Sequence, residues 1–264
     1  MRVVAEQFYG QFGEDRLLAD MFRDGGAGVC VDVGANDGVT GSVSLYFERI
    51  GWRCVLVEPN PDLCARLRRE RASFLFEGAA SAARGTTTLM LAEGADLSHA
   101  VSSIEPGARD GIRRQGLTVR EVAVATAPLD EILEQAGVAP GEIAFVSIDV
   151  EGHEAAVLAG FNLARWRPRV LIIEDNSIFF GNGLRGLLER QGYVRFRRTG
   201  VNDWYAARGD AVAGERPEQA YRTSMVRARG LMIRRNLSDR LLALPGVGGA
   251  IGHVLRSLRG QSSD

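Results

Sequence analysis

The sequence predicts an α/β fold, a mostly parallel sheet with helices on both faces, and three observations carry that reading. Apolar runs of strand length alternate with amphipathic helical stretches from residue 14 onward. The run Val29-Cys30-Val31-Asp32-Val33 opens into the glycine turn Gly34-Ala35-Asn36-Asp37-Gly38, and Val43, Tyr46, Phe47 and Ile50 then recur at helical spacing. A second apolar run closes in Glu58, 26 residues beyond Asp32, which is about one β-α-β step.

Taken in order, Leu17, Leu18, Met21 and Phe22 define a first helix. A strand at 29–33, a helix at 42–50 stopped by Gly51, a strand at 53–57 and a helix at about 62–71 follow. That last helix is expected to expose Arg66, Arg68, Arg69 and Arg71 on one side. Strands are expected at 73–76 and 86–91. Residues 93–118, rich in glycine and polar side chains, suit a loop or lid. Extended chain resumes at 119–125, and Pro128 starts a helix whose stripe is Leu129, Ile132 and Leu133. Strand 143–149, helix 154–159, strand 169–174, helix 183–191 and strands 193–197 and 203–207 complete a seven-stranded sheet. Residues 1–210 form the main domain. Residues 211–264 form an Arg-rich helical extension, with segments at about 218–235 and 238–259 around Pro245-Gly246-Val247-Gly248-Gly249.

At 264 residues, with 45% hydrophobic and 25% charged side chains, the chain can bury a full core. It lacks a window of about 18 uncharged apolar residues and a signal-peptide h-region, so the expected location is the cytoplasm. Cys30, Cys54 and Cys64 show no C-x-x-C spacing and read as buried, reduced thiols. All 32 basic residues are Arg. Nine of them stand in 216–264 against Glu218, Asp239 and Asp264, a net +6, which leaves −7 for the rest of a chain whose total is −1. With an acidic body and no aromatic–basic interleaving, nucleic acid is not an expected partner.

The form D-x-G-x-N-x-G differs from the dinucleotide fingerprint G-x-G-x-x-G. Asp32 at a strand end would repel a pyrophosphate and favour a cation, such as the ammonium and sulfonium of S-adenosylmethionine. Gly34 and Gly38 permit close backbone approach, and open N–H groups around Ala35 and Asn36 would suit the donor's carboxylate. Glu58 is placed to accept from ribose hydroxyls, Asn60 to shape the adenine edge, and Glu77-Gly78-Ala79-Ala80 to add a third contact, through Ala79. A nicotinamide oxidoreductase is disfavoured, since the chain has neither the fingerprint nor any Lys. A cofactor-binding assembly subunit without turnover is the other alternative.

Gln11-Phe12-Gly13-Glu14-Asp15, VDVGANDG at 31–38, GWRCVLVEPNP at 51–61 and FVSIDVEGHEAAVLAG at 145–160 resemble the FkbM-type methyltransferase family over about residues 7–207. The resemblance implies a class I methyltransferase, Rossmann-like fold and O-methylation of a sugar or secondary-metabolite hydroxyl. Gln11 joins the expected cofactor contacts on that basis.

Asp149 ends one apolar run and Glu174-Asp175-Asn176 ends the next. Neighbouring strand ends would gather Asp149, Asp175 and Asn176, an all-oxygen set suited to Mg²⁺. Glu174 is the alternative ligand if the register shifts by one. The pattern also resembles small catechol-type O-methyltransferases, which implies the same three metal ligands. Asp149 would touch the cofactor as well. His153 and Glu151 are candidates for the general base, with His99 behind them, while His253 reads as a surface residue. Phe179 and Phe180 are expected to border the site of a small or glycosylated acceptor. The extension is expected to pack on the body or a second subunit, or to touch an anionic membrane.

Overall fold

The computed structural model describes residues 7–93, 103–104, 110, 112–113, 116–175 and 183–242. Among the described residues ten strands fall in two sheets: β1 (Val29–Val33), β2 (Arg53–Glu58), β3 (Phe74–Glu77), β4 (Ala79–Ala80), β5 (Gly85–Glu93), β6 (Thr118–Ala127), β7 (Ile143–Ile148), β8 (Val170–Glu174), β9 (Tyr193–Thr199) and β10 (Asn202–Ala207). The helices are α1 (Glu14–Met21), α2 (Leu45–Arg49), α3 (Pro61–Glu70), α4 (Leu129–Gln135), α5 (Glu154–Ala159), α6 (Leu163–Trp166), α7 (Leu184–Arg190) and α8 (Pro217–Leu242).

The main sheet has seven strands in the order β3-β2-β1-β7-β8-β10-β9. It is parallel except for β10, which runs antiparallel to both β8 and β9. The chain winds outward from β1 in one direction and from β7 in the other, a topological switch point at whose carboxyl edge ligands bind in such sheets. β1, β7 and β8 are buried along their whole length, as expected of strands covered on both faces. Side-chain alternation then splits the core in two. Val31, Val33, Val55, Val57, Ile148 and Ile173 pack on one face. Cys30, Cys54, Leu56 and Ile172 pack on the other, against Leu18 and Phe47 from α1 and α2. Asp32 and Glu58 follow the register of this second set.

The sequence placed extended chain at 86–91 and 119–125 but not its partners. These segments leave the main sheet and form a separate one, β4-β6-β5, with β5 and β6 antiparallel from Gly85–Thr126 to Glu93–Thr118. Alternation reports a strand, not which sheet it joins. The extension also differs from expectation. α8 runs unbroken through Asn236 and Leu237, between the two segments read from the sequence, and has no proline after Pro217. It packs on β9, burying Tyr221 and Ala228. Ser224 Oγ accepts the Arg198 N–H at 2.9 Å, a donor that edge strand β9 would otherwise leave bare. Among the described residues no helix is long and apolar enough to cross a membrane. All three cysteines are free and buried.

Candidate active site

The turn after β1 is built by β2. Val57 O accepts from the N–H groups of Gly34 (2.9 Å) and Ala35 (3.1 Å). Glu58 Oε2 accepts from Asn36 N–H and Oε1 from Asn60 N–H, each at 2.9 Å. Gly38 N–H donates to Ala35 O at 3.0 Å. The N–H groups of Gly34, Ala35 and Asn36, the last two expected to be open, are therefore occupied by acceptors from the neighbouring strand, which the turn's own sequence does not reveal, and that of Gly38 is occupied within the turn. What remains toward a ligand is an acceptor: Asn36 Oδ1 is buried without a hydrogen-bond partner, and Asn36 holds the left-handed φ of 54°. Gly34 sits at φ +88°, where a Cβ would lie 1.8 Å from the Asp149 carbonyl oxygen. Only glycine allows β1 and β7 to close this tightly. Ala79 is buried in β4, and Gly78 N–H donates to Glu58 O, so β3 is tied to the same corner.

Asp32 is buried, and one carboxylate oxygen accepts from Ser44 Oγ at 2.6 Å. Burial pushes its pKa up, opposed by Ser44 and by Arg71. Arg71 was expected on an exposed helix face, yet its side chain is 1% exposed. It is the residue that ends α3, in an extended conformation (φ −126°, ψ 141°), so it leaves the helical register and turns inward. Its guanidinium donates to Glu48 (2.8 Å), Gly38 O (3.0 Å) and Ser44 Oγ (3.0 Å). Asp32 thus anchors the start of α2 through a buried polar chain. Gly10 bridges Gly41, which brings Gln11 beside the segment that leads from the turn into α2. Buried Glu14 receives Phe12 N–H, Thr199 Oγ1 and Asn202 Nδ2, clasping the N-terminal segment to the β9–β10 hairpin.

The segment after β7 makes the second half of the site. Glu151 takes φ 53° and Gly152 φ 105°. Glu154 folds back to accept from the N–H groups of Gly152 (3.1 Å) and Val150 (3.4 Å). This turn aims Asp149 and Glu151 at Glu174, and one carboxylate oxygen from each lies within 4.8 Å of the others. Burial, then the charge of Glu174 and a hydrogen bond with it, push the Asp149 pKa well up. Burial, Asp149 and Glu154 push Glu151 to about 7.

Of the expected metal ligands, Asp149 belongs to this group and Asp175 does not. Asp175 is the next residue along and faces the opposite side, near Tyr205 and Arg198; its N–H donates to Val201 O and its carbonyl accepts from Arg198 Nη2. Glu174, weighed in the sequence as the one-residue alternative, occupies the converging position. Asn176, Phe179, Phe180, His99 and His253 lie outside the described residues. His153 Nε2 is 3.0 Å from Ser81 Oγ, so the ring turns toward the residue after β4. Glu14, Arg71 and Glu154 went unassigned in the sequence, although Glu14 and Glu154 stood inside distinctive motifs.

This strand order, with acids at the tips of β1 and β2 beside a glycine turn, defines a class I methyltransferase. The chain belongs to the FkbM methyltransferase family: the methyltransferase FkbM domain matches residues 32–195, more than half of its length. Membership implies S-adenosylmethionine as methyl donor. Among solved structures, a Klebsiella pneumoniae protein assigned as an O-methyltransferase is 14% identical over 78% of this chain and 83% of its own, with a TM-score of 0.37. A Pyrococcus horikoshii protein assigned as an RNA methyltransferase is 11% identical over 74% and 84%, with a TM-score of 0.35. No curated protein matches the chain. The class rests on the strand order and the family match.

Proposed function

We propose that the protein is an S-adenosylmethionine-dependent O-methyltransferase acting on a hydroxyl, with a sugar or secondary-metabolite acceptor favoured by the family. The observation that supports this most is the convergence of Asp149, Glu151 and Glu174 beside the turn that would hold the donor. A sulfonium is already a strong electrophile, so the enzyme's work is alignment and removal of the hydroxyl proton.

The residues fit the donor. Glu58 keeps lone pairs for ribose hydroxyls, Asn36 Oδ1 is an orphaned acceptor, and the acids at the strand tips favour the ammonium and sulfonium. Glu151, at about 7, can accept a proton near neutral pH. The three carboxylates also fit a hard divalent cation. Mg²⁺ would be held by Asp149, Glu151 and Glu174, and it would lower the acceptor hydroxyl's pKa.

The test is methyl transfer to a panel of hydroxylated and glycosylated acceptors, with Mg²⁺ and with excess chelator. Glu174→Gln should lower turnover by roughly 10²-fold or more while donor affinity changes by less than about threefold. Transfer that survives the chelator unchanged removes the metal and leaves Glu151 as the base. No transfer to any hydroxyl, with transfer to amines, overturns O-methylation.

A further inference from the structure

We propose that the exposed flank of α8, where it meets β9, is a docking surface for an anionic phospholipid membrane, independently of the chemistry assigned above. Between Glu218 and Asp239 the chain carries Arg222, Arg227, Arg229, Arg234 and Arg235 and no acid. The inner side of α8 is committed to β9 through Tyr221, Ser224 and Ala228. Beside this cationic run the helix leaves apolar area bare: Val226 is 67% exposed and Leu231 56%. Only Ile50, one residue past α2, is comparably exposed among the large apolar side chains described.

Arg227 stands between Val226 and Leu231 in sequence and on the helix surface. It faces Arg197 of β9, whose Nε is buried without a hydrogen-bond partner. Burial and the neighbouring Arg227 hold the Arg197 pKa down. Neither guanidinium has an acidic partner among the described residues. Two uncompensated cations, flanked by exposed apolar groups, match the two components of a lipid interface: headgroup phosphates and the acyl boundary. The exposed Val226 and Leu231 favour a bilayer over a nucleic acid, which would supply phosphates but no apolar phase. The surface is also continuous in sequence with the net +6 of residues 216–264, which sets it against a body of −7.

The experiment is co-sedimentation of the full chain with vesicles of phosphatidylcholine alone and of phosphatidylcholine with 30% phosphatidylglycerol. Binding to the anionic vesicles alone is expected, falling at least tenfold between 0.1 and 0.5 M NaCl as charges are screened. Arg227→Ala should lower partitioning about fivefold, and Val226→Ser should lower it further, with S-adenosylmethionine affinity unchanged in both. Absence of binding to anionic vesicles overturns the proposal, as does equal binding to neutral ones. An oligonucleotide bound where vesicles are not, or a dimer by sedimentation equilibrium that fails to bind vesicles, overturns it too. The salt series on the unmodified chain decides the matter even if a variant misfolds.

Discussion

Glu58→Gln is the substitution with the most specific consequences. Burial holds the Glu58 pKa at about 7 instead of the ordinary 4.5, with Asp32 adding to the rise and the Asn60 and Asn36 N–H groups opposing it. That difference amounts to about 3 kcal/mol. Because the folded value is the higher one, the stabilisation is complete below pH 4.5 and is lost as pH rises through 7. A glutamine cannot titrate, so it removes this loss. It also has one carbonyl oxygen where the carboxylate has two acceptors, so one of the Asn36 and Asn60 N–H groups must face an NH₂. An unpaired N–H there costs about 1–3 kcal/mol.

The two effects oppose each other differently at different pH. At pH 5 the variant should be less stable than the wild type by about 1–3 kcal/mol. At pH 8 the difference should vanish or reverse. Denaturant unfolding at both pH values measures the swing directly. Donor binding should move the other way. Ribose hydroxyls donate to the ionised carboxylate, so wild-type affinity should fall about tenfold from pH 8 to pH 6, with proton release on binding near neutrality. The variant loses two charge-assisted hydrogen bonds, about 2–3 kcal/mol, or roughly 30- to 150-fold in affinity at pH 8. Calorimetry in buffers of different ionisation enthalpy reads both the affinity and the protons. Equal donor affinity in wild type and variant at pH 8 would refute the ribose role. A stability difference independent of pH would refute the buried, raised carboxyl.

Three further changes probe the frame around this acid. Gly34→Ala should abolish donor binding and cost several kcal/mol, because its Cβ would meet the Asp149 carbonyl at 1.8 Å in a left-handed backbone; thermal unfolding and calorimetry check it, and a tolerated alanine would deny the close approach of β1 and β7. Arg71→Met should destabilise by about 3–5 kcal/mol, since it leaves buried Asp32 and half-buried Glu48 without their cation; urea unfolding at pH 7 measures this. His153→Ala should change turnover by less than tenfold across pH 6–9, since the ring is engaged by Ser81; a loss of 10²-fold or more would restore it as the base.

Much of the fold was legible because buried parallel strands announce themselves. Val29–Val33, Ile143–Ile148 and Val170–Glu174 are apolar on both faces and bounded by polar turns, so their existence and their ends could be read directly. Asp32, Glu58 and Asp149 could be placed at one sheet edge because each ends such a run. What could not be read was direction. Glu174 and Asp175 are adjacent, and a strand sends adjacent side chains to opposite faces. The exit from β8 is set by Asn202, which pairs with Glu174 from a strand 28 residues later. Arg71 misled for a related reason: helical spacing assigns it a face, but it lies one residue beyond the helix.

The acids at this edge make sense only with the ligand in view. Asp32 and Glu58 are buried, and desolvation raises the pKa of both and of the more exposed Asp149. Each costs folding free energy at neutral pH, and their mutual repulsion adds to that cost. A sequence optimised for stability alone would place amides or apolar groups there. A bound cation reverses the balance, because it lowers those pKa values and offsets the repulsion, so the same carboxyls that weaken the free protein bind it more tightly. The free protein should therefore gain stability from S-adenosylmethionine well beyond what the neutral parts of the donor supply. Adenosine, which has the ribose but neither cation, should raise the melting temperature much less at equal saturation. The gap should narrow as pH falls toward 5 and the carboxyls protonate; equal stabilisation by both ligands at pH 8 would show that the acids are not there for charge.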